Sequence, residues 1–247
     1  MLMEENHKNL AIIVVIIMLM WFSSGYIITH VSSARNVPEL GPYTSFMYVP
    51  AVDDQGNGLT TSLKVEVVKG EGRVLTNIDK LLFWVDTQYS IQTAKKVAKE
   101  ITNLEAENVD IIYTIATPNS TLVGGPSAGA ALTIATVAAL ENKPVRKDIL
   151  ITGTVEEDGT IGIVGGVAEK ASAAKAAGAE LFLVPEGTIL AKTLIPEESC
   201  YKDDDLMICE TDYTVSKFDP SEELGIEIVE VSNIKEALDY FIVSSLS

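Results

Sequence analysis

The first strong feature along the chain is an unbroken apolar block. Leu10 to Thr29 is a run of 20 residues without a formal charge, densest from Leu10 to Phe22 and followed by Ser23-Ser24-Gly25. That length matches the roughly 30 Å hydrocarbon core of a bilayer, and Trp21, Phe22 and Tyr26 suit its interface. Two readings compete. A retained anchor fits the length; a cleaved signal peptide fits the dense block and the small residues Ser32 and Ala34. Both deliver the chain to a membrane. The expected organisation is an N-terminal tail (1–9), an anchor or signal segment (10–31), a Ser/Pro/Gly linker (32–43) and one domain (44–247).

Beyond the linker, short apolar runs alternate with helical periodicities. Phe46 to Val52, Leu63 to Val68 and Arg73 to Ile78 read as strands, with Asp53 to Gly58 as a loop. From Ser90, the positions Ile91, Ala94, Val97, Ala98 and Ile101 recur at helical spacing. Val109 to Ala116 reads as a buried strand. A glycine-rich turn at Gly124-Gly125 precedes a helix from Ser127 to about Leu140 that lacks charge and must be buried nearly all round. Ile149 to Val155 and Thr160 to Val164 flank a hairpin signal ending in Asp158-Gly159. A helix from Val167 to Ala177 stops at Gly178, Leu181 to Val184 and Ile226 to Val231 are strands, and Ser232 is the expected cap of a last helix through Phe241. This order predicts an α+β (mixed α/β) domain. There is no internal repeat.

Charge narrows the partners. The net charge of −17, from 18 basic and 35 acidic side chains, lies almost wholly after residue 35 and argues against nucleic acid. The charges beside the apolar block are too balanced to orient it. Cys200 and Cys209 are too few for a structural zinc site without histidine. They leave open a local disulfide, suited to an oxidising space outside the cytoplasm, or two free thiols. Asp203 to Asp205 reads as a solvated loop with weak calcium binding as the alternative. Asn119-Ser120-Thr121 matches a glycosylation acceptor, a weak signal.

The candidate chemistry sits at two places. His7 and His30 are the only histidines, so a serine nucleophile in the domain lacks an imidazole base and needs a neutral lysine instead. Ser127, in Gly125-Pro126-Ser127-Ala128-Gly129, stands where a loop turns into a helix, whose unpaired N–H groups suit a developing oxyanion. Serine is also a favoured N-cap, so capping and catalysis both fit it locally. Lys170 falls on the apolar side of its helix, opposite Glu169, Ser172 and Lys175. Such a lysine either snorkels to water or is buried. Burial lowers its pKa, and a fall from about 10.4 to about 7.4 corresponds to on the order of 4 kcal/mol against the charged form.

These residues resemble the Lon family of serine peptidases, especially archaeal-type proteolytic domains. The match runs through Gly125 to Gly129, Pro144-Val145-Arg146, Ile151-Thr152-Gly153, Gly159 to Lys170, Ala173-Ala174, Ala177-Gly178 and Leu183-Val184-Pro185. It is strong over Val123 to Gly187 and weaker over Thr44 to Leu122. The resemblance implies a Lon-type proteolytic domain, which would sit behind the N-terminal transmembrane helix expected from the Leu10 to Thr29 run. It also implies a Ser127–Lys170 dyad acting through an acyl-enzyme, ring-like homo-oligomers, and Thr152 near the lysine, orienting its amine. Gly124 and Thr154 stand where many members carry acidic residues, which touches substrate gating or dyad support. No P-loop run occurs in the 247 residues.

The expectation is therefore a single-pass, membrane-associated, ATP-independent serine endopeptidase. It would use no cofactor and no metal, would act on peptides or unfolded proteins, and would hold its catalytic domain outside the cytoplasm. Two rivals are a catalytically silent Lon-like scaffold and a GHMP-type small-molecule kinase, whose glycine-rich turn would bind phosphates.

Overall fold

A computed structural model of the chain describes residues 42–77, 85–104, 106–117, 125–188, 193–203, 206–216, 221 and 225–242. All of them fall within one compact unit, Glu39–Ser247. The anchor or signal segment, most of the linker, Asn119 to Thr121 and Gly124 lie outside the described residues. Among the described residues no helix is long and apolar enough to cross a membrane.

Strand β1 (Tyr43–Val52) and β2 (Gly58–Lys69) form an antiparallel hairpin, with Val52 paired to Gly58 beside its turn. That turn is closed by the Asp53 carboxylate, which accepts from the backbone N–H of Gln55 and Asn57. Strands β3 (Val74–Asn77) and β4 (Val109–Ala116) complete a sheet of order β1-β2-β4-β3, in which β3 runs parallel to β4. Alternation along β1 and β2 buries Met47, Val49, Leu63, Val65 and Val67 on one face. Helix α1 (Val85–Thr102) packs against helix α2 (Gly129–Glu141), and α2 packs against β1 and β2. The periodicity of α1 is as read: Ile91, Ala94, Val97 and Ala98 are buried. The helix begins five residues before the expected Ser90, whose hydroxyl is buried and donates to the Asp86 carbonyl.

Helix α2 is buried at every position from Gly129 to Leu140, as its lack of charge demands. Its two threonines satisfy themselves, Thr133 on the Gly129 carbonyl and Thr136 on that of Leu132. Asn142 ends it in the left-handed conformation.

The expected strand Ile149 to Val155 is broken in two, β5 (Ile149–Ile151) and β6 (Thr154–Val155). The cause is local. Gly153 takes a positive φ and turns its N–H to the Ser127 carbonyl and its C=O to the Ala130 N–H. Strand β7 (Ile161–Gly162) pairs with β6 across the Asp158-Gly159 turn. Helix α3 (Val167–Ala176) follows, then β8 (Leu181–Pro185), which runs parallel between β5 and β11 (Glu227–Val231). Ala171, Ala174, Leu150, Phe182, Val184, Ile226 and Ile228 make a second core between α3 and this three-stranded sheet.

Two readings are corrected. The last helix, α4 (Ile234–Phe241), is capped by Asn233, which accepts from the Glu236 N–H; Ser232 instead donates to the Glu236 carboxylate. The cysteine segment is not a loop but a hairpin of β9 (Thr193–Asp203) and β10 (Leu206–Ser216), paired only with each other. Cys200 and Cys209 are directly opposed and disulfide-bonded, which settles the choice left open by the sequence. Among the described residues no cluster is fit to hold a metal ion; Asp204 and Asp205 lie outside them.

Candidate active site

Ser127 belongs to a short 3-10 turn, Pro126–Ala128, that leads into α2. The turn starts at Gly125 with φ of 109°, a left-handed value glycine adopts without strain. The serine side chain caps neither the turn nor α2, so the simple N-cap reading does not hold. The half-buried residue instead lines a cavity.

The backbone of this turn is held from three sides. Thr152 Oγ1 donates to the Ser127 carbonyl at 3.4 Å, the Gly153 N–H donates to the same oxygen at 3.0 Å, and Ser90 Oγ reaches the Pro126 carbonyl at 3.5 Å. Thr152, expected to orient the lysine, thus bonds the backbone of the serine instead. The broken strand that places it there was missed by sequence reasoning. Its only signal was a Thr-Gly pair inside a β-branched run.

Lys170 occupies the first turn of α3, which starts from Gly166 with φ of 66°. The lysine is 4% exposed and so does not snorkel to water. Its Nζ donates to the Gly165 carbonyl at 2.9 Å. Desolvation pushes its pKa down to about 8, against the opposing pull of the Glu169 carboxylate. Lys175, on the opposite side of the helix, is exposed.

Both residues open onto the same cavity of about 210 Å³. Its walls are aliphatic, including Val49, Ala51, Leu63, Ile115 and Leu132, with the hydroxyl-bearing Thr61 and Thr87 among them. Among the described residues Lys170 is the only ionisable side chain lining it. The amine is bonded to Gly165 rather than to Ser127. A neutral amine in that position uses one N–H on the carbonyl and keeps a lone pair for another partner.

A family model of the Lon protease (S16) C-terminal proteolytic domain matches residues 57–215. The chain belongs to the Lon protease family. It is similar to the archaeal Lon protease of Methanocaldococcus jannaschii, 30% identical over 162 residues, 62% of this chain and 25% of that protein. To the Lon protease of Acinetobacter baumannii it is 30% identical over 184 residues, 67% of this chain and 22% of the relative. A shorter stretch of 74 residues is 42% identical to the Lon protease of Fusobacterium nucleatum, covering 30% of this chain and 10% of the relative. The Lon-family chain thus spans a quarter or less of the length of these relatives. Membership in this family sets aside the small-molecule kinase.

Proposed function

We propose that the chain is a serine endopeptidase in which Ser127 is the nucleophile and Lys170 its general base. One observation carries the reading: a buried lysine with a depressed pKa and a serine without a capping role open onto one apolar cavity. The chemistry is that of acyl transfer. The neutral Lys170 amine takes the Ser127 proton as Oγ attacks the peptide carbonyl, and the resulting oxyanion lies beside the N–H groups that open the Pro126–Ala128 turn. The ammonium returns the proton to the leaving amine, the C–N bond breaks and an acyl-enzyme remains. Water, deprotonated by the same amine, then attacks the acyl carbonyl; the ester C–O bond breaks, the acid product leaves and the ammonium returns the proton to Ser127 Oγ. The cavity holds a side chain or a short extended segment, which favours peptides and unfolded proteins as substrates.

In the same proposal the enzyme is tethered to a membrane by the Leu10 to Thr29 run, works without ATP and assembles as a ring. A domain on the oxidising side of that membrane is favoured by the Cys200–Cys209 disulfide. The test is labelling with a fluorophosphonate or a peptide boronate. Ser127 is expected to take the label, and Ser127→Ala to lose both labelling and casein hydrolysis; label retained in that variant refutes the nucleophile. Hydrolysis unchanged by added ATP is expected, and stimulation by ATP would refute the ATP-independent part.

A further inference from the structure

The helix that carries Lys170 is docked on the tip of the β1–β2 hairpin at three points, each of them close. At the first, the helix start meets β1: a Cβ added to Gly166 would lie 2.8 Å from Val52 Cγ2. At the second, Gly58, the strand partner of Val52, lies against the backbone of α3. A Cβ on Gly58 would fall 2.1 Å from the carbonyl oxygen of Glu169 and 2.7 Å from its carbonyl carbon. At the third, Thr60 Oγ1 donates to the Ala173 carbonyl at 3.1 Å, one turn further along the helix.

Gly58 and Thr60 are two apart on a strand and so share a face. Their contacts bracket Lys170, the residue immediately after Glu169. Nothing about the Gly58 backbone calls for glycine, since its φ is not in the left-handed region; the requirement is the approach of the helix. Backbone cannot yield as a flexible side-chain end does, so a methyl group there must displace α3 by about 1 Å to restore ordinary contact.

We propose that Gly58 and Thr60 are positioning residues of the peptidase, holding α3 at the depth that keeps the Lys170 amine buried and aimed into the cavity shared with Ser127. The proposal rests on the Ser127–Lys170 reading, in which the amine must stay neutral and in place. A displacement of about 1 Å remote from the chemistry is enough to cost on the order of 100-fold in rate. Lifting the helix also admits water to Nζ and returns its titration toward that of an ordinary lysine. Glu169 is the charged neighbour that acts on the amine, and none of the substitutions below removes it.

The experiment uses the full chain and four variants: Thr60→Val, which keeps the shape and removes the hydroxyl; Thr60→Ser, which keeps the hydroxyl; Gly58→Ala; and Ser127→Ala. Two quantities are measured against pH: kcat/KM on a fluorogenic peptide, and the rate at which an amine-acylating reagent modifies Lys170, read by mass spectrometry. Thr60→Val and Gly58→Ala are expected to lower kcat by about 10- to 100-fold with a smaller change in KM. Both are also expected to move the midpoint of Lys170 acylation to higher pH. Thr60→Ser is expected to restore both quantities.

An acylation midpoint the same as wild type in Thr60→Val and in Gly58→Ala overturns the proposal. A lower rate with an unmoved midpoint does so too, because it marks a structural role only. The acylation measurement needs no turnover and is repeated in Ser127→Ala. Peptide cleavage that survives Ser127→Ala therefore counts against the proposed nucleophile, while the midpoint still decides the role of Gly58 and Thr60.

Discussion

Lys170 is the residue where function and stability pull apart. Its folded pKa is about 8, against 10.5 for the free side chain. Only the neutral amine accepts the serine proton, so kcat/KM is expected to rise with pH along an acid limb with a midpoint near 8, measured on a peptide between pH 6 and 10. A limb near 6.5 or above 10 would point to another group as the base. Below pH 8 the lysine is charged in both the folded and the unfolded chain, and the folded protein bears the full desolvation cost. Between 8 and 10.5 the unfolded chain binds more protons than the folded one, so this cost is relieved as pH rises. Lys170→Met should abolish cleavage and, at pH 7, stabilise the fold by an amount on the order of 2–3 kcal/mol. Thermal unfolding of that variant at pH 7 and at pH 10 is the check, the gain being expected to shrink at the higher pH. Asp110 also has a lowered pKa and the same direction of pH dependence, but there the charged form is the one the fold favours. The Arg73 guanidinium and the N–H groups of Arg73 and Glu71 hold its carboxyl well below the usual carboxylate range, so it supports the fold above the unfolded pKa and loses that role only in strong acid.

At the level of elements, α2 is the scaffold that fixes the serine, and its buried side-chain bond to β4 is a measure of how tightly. Tyr113 of β4 and Thr136 of α2 are both buried and hydrogen-bonded at 2.7 Å, while Thr136 also bonds the Leu132 carbonyl. Thr136→Val strands the phenol without a partner among the described residues and should cost about 1–3 kcal/mol. Tyr113→Phe leaves the threonine its carbonyl and should cost less, and the double variant should recover part of the loss of Thr136→Val. Denaturant unfolding of the three proteins tests this cycle; equal costs for the two single changes would contradict it. The uncharged run of α2, the spacing of α1 and the strand Val109–Ala116 were legible in sequence because each buries a whole face or a whole element. The burial of Lys170 was half legible: its helix spacing put it on the apolar side and left open whether it snorkels or is buried, and the structure buries it. The break at Thr152-Gly153 was not legible, since it answers to the Ser127 carbonyl, distant in sequence. The β9–β10 hairpin was missed because Glu197 to Asp205 is rich in residues that disfavour strands.

For the whole molecule, that hairpin stands apart in its strand pairing. It pairs with neither larger sheet, and an isolated two-stranded ribbon is marginal in water. Cross-linking Cys200 to Cys209, nine residues apart, removes loop freedom from the open ribbon and contributes on the order of 2–3 kcal/mol to its closure. That stabilisation is local. The large core joins α1, α2 and the four-stranded sheet, and the smaller one joins α3 and the three-stranded sheet. Reduction with dithiothreitol should therefore speed amide exchange and protease nicking within residues 193–216 while leaving the main unfolding transition within a degree or two. The acid limb of cleavage should stay near pH 8, because the amine of Lys170 bonds the Gly165 carbonyl just before its own helix and its charged neighbour is Glu169. A main transition that drops by ten degrees on reduction, or a limb that moves with it, would show that the ribbon is integral to the domain and that the catalytic cavity depends on the redox state around it.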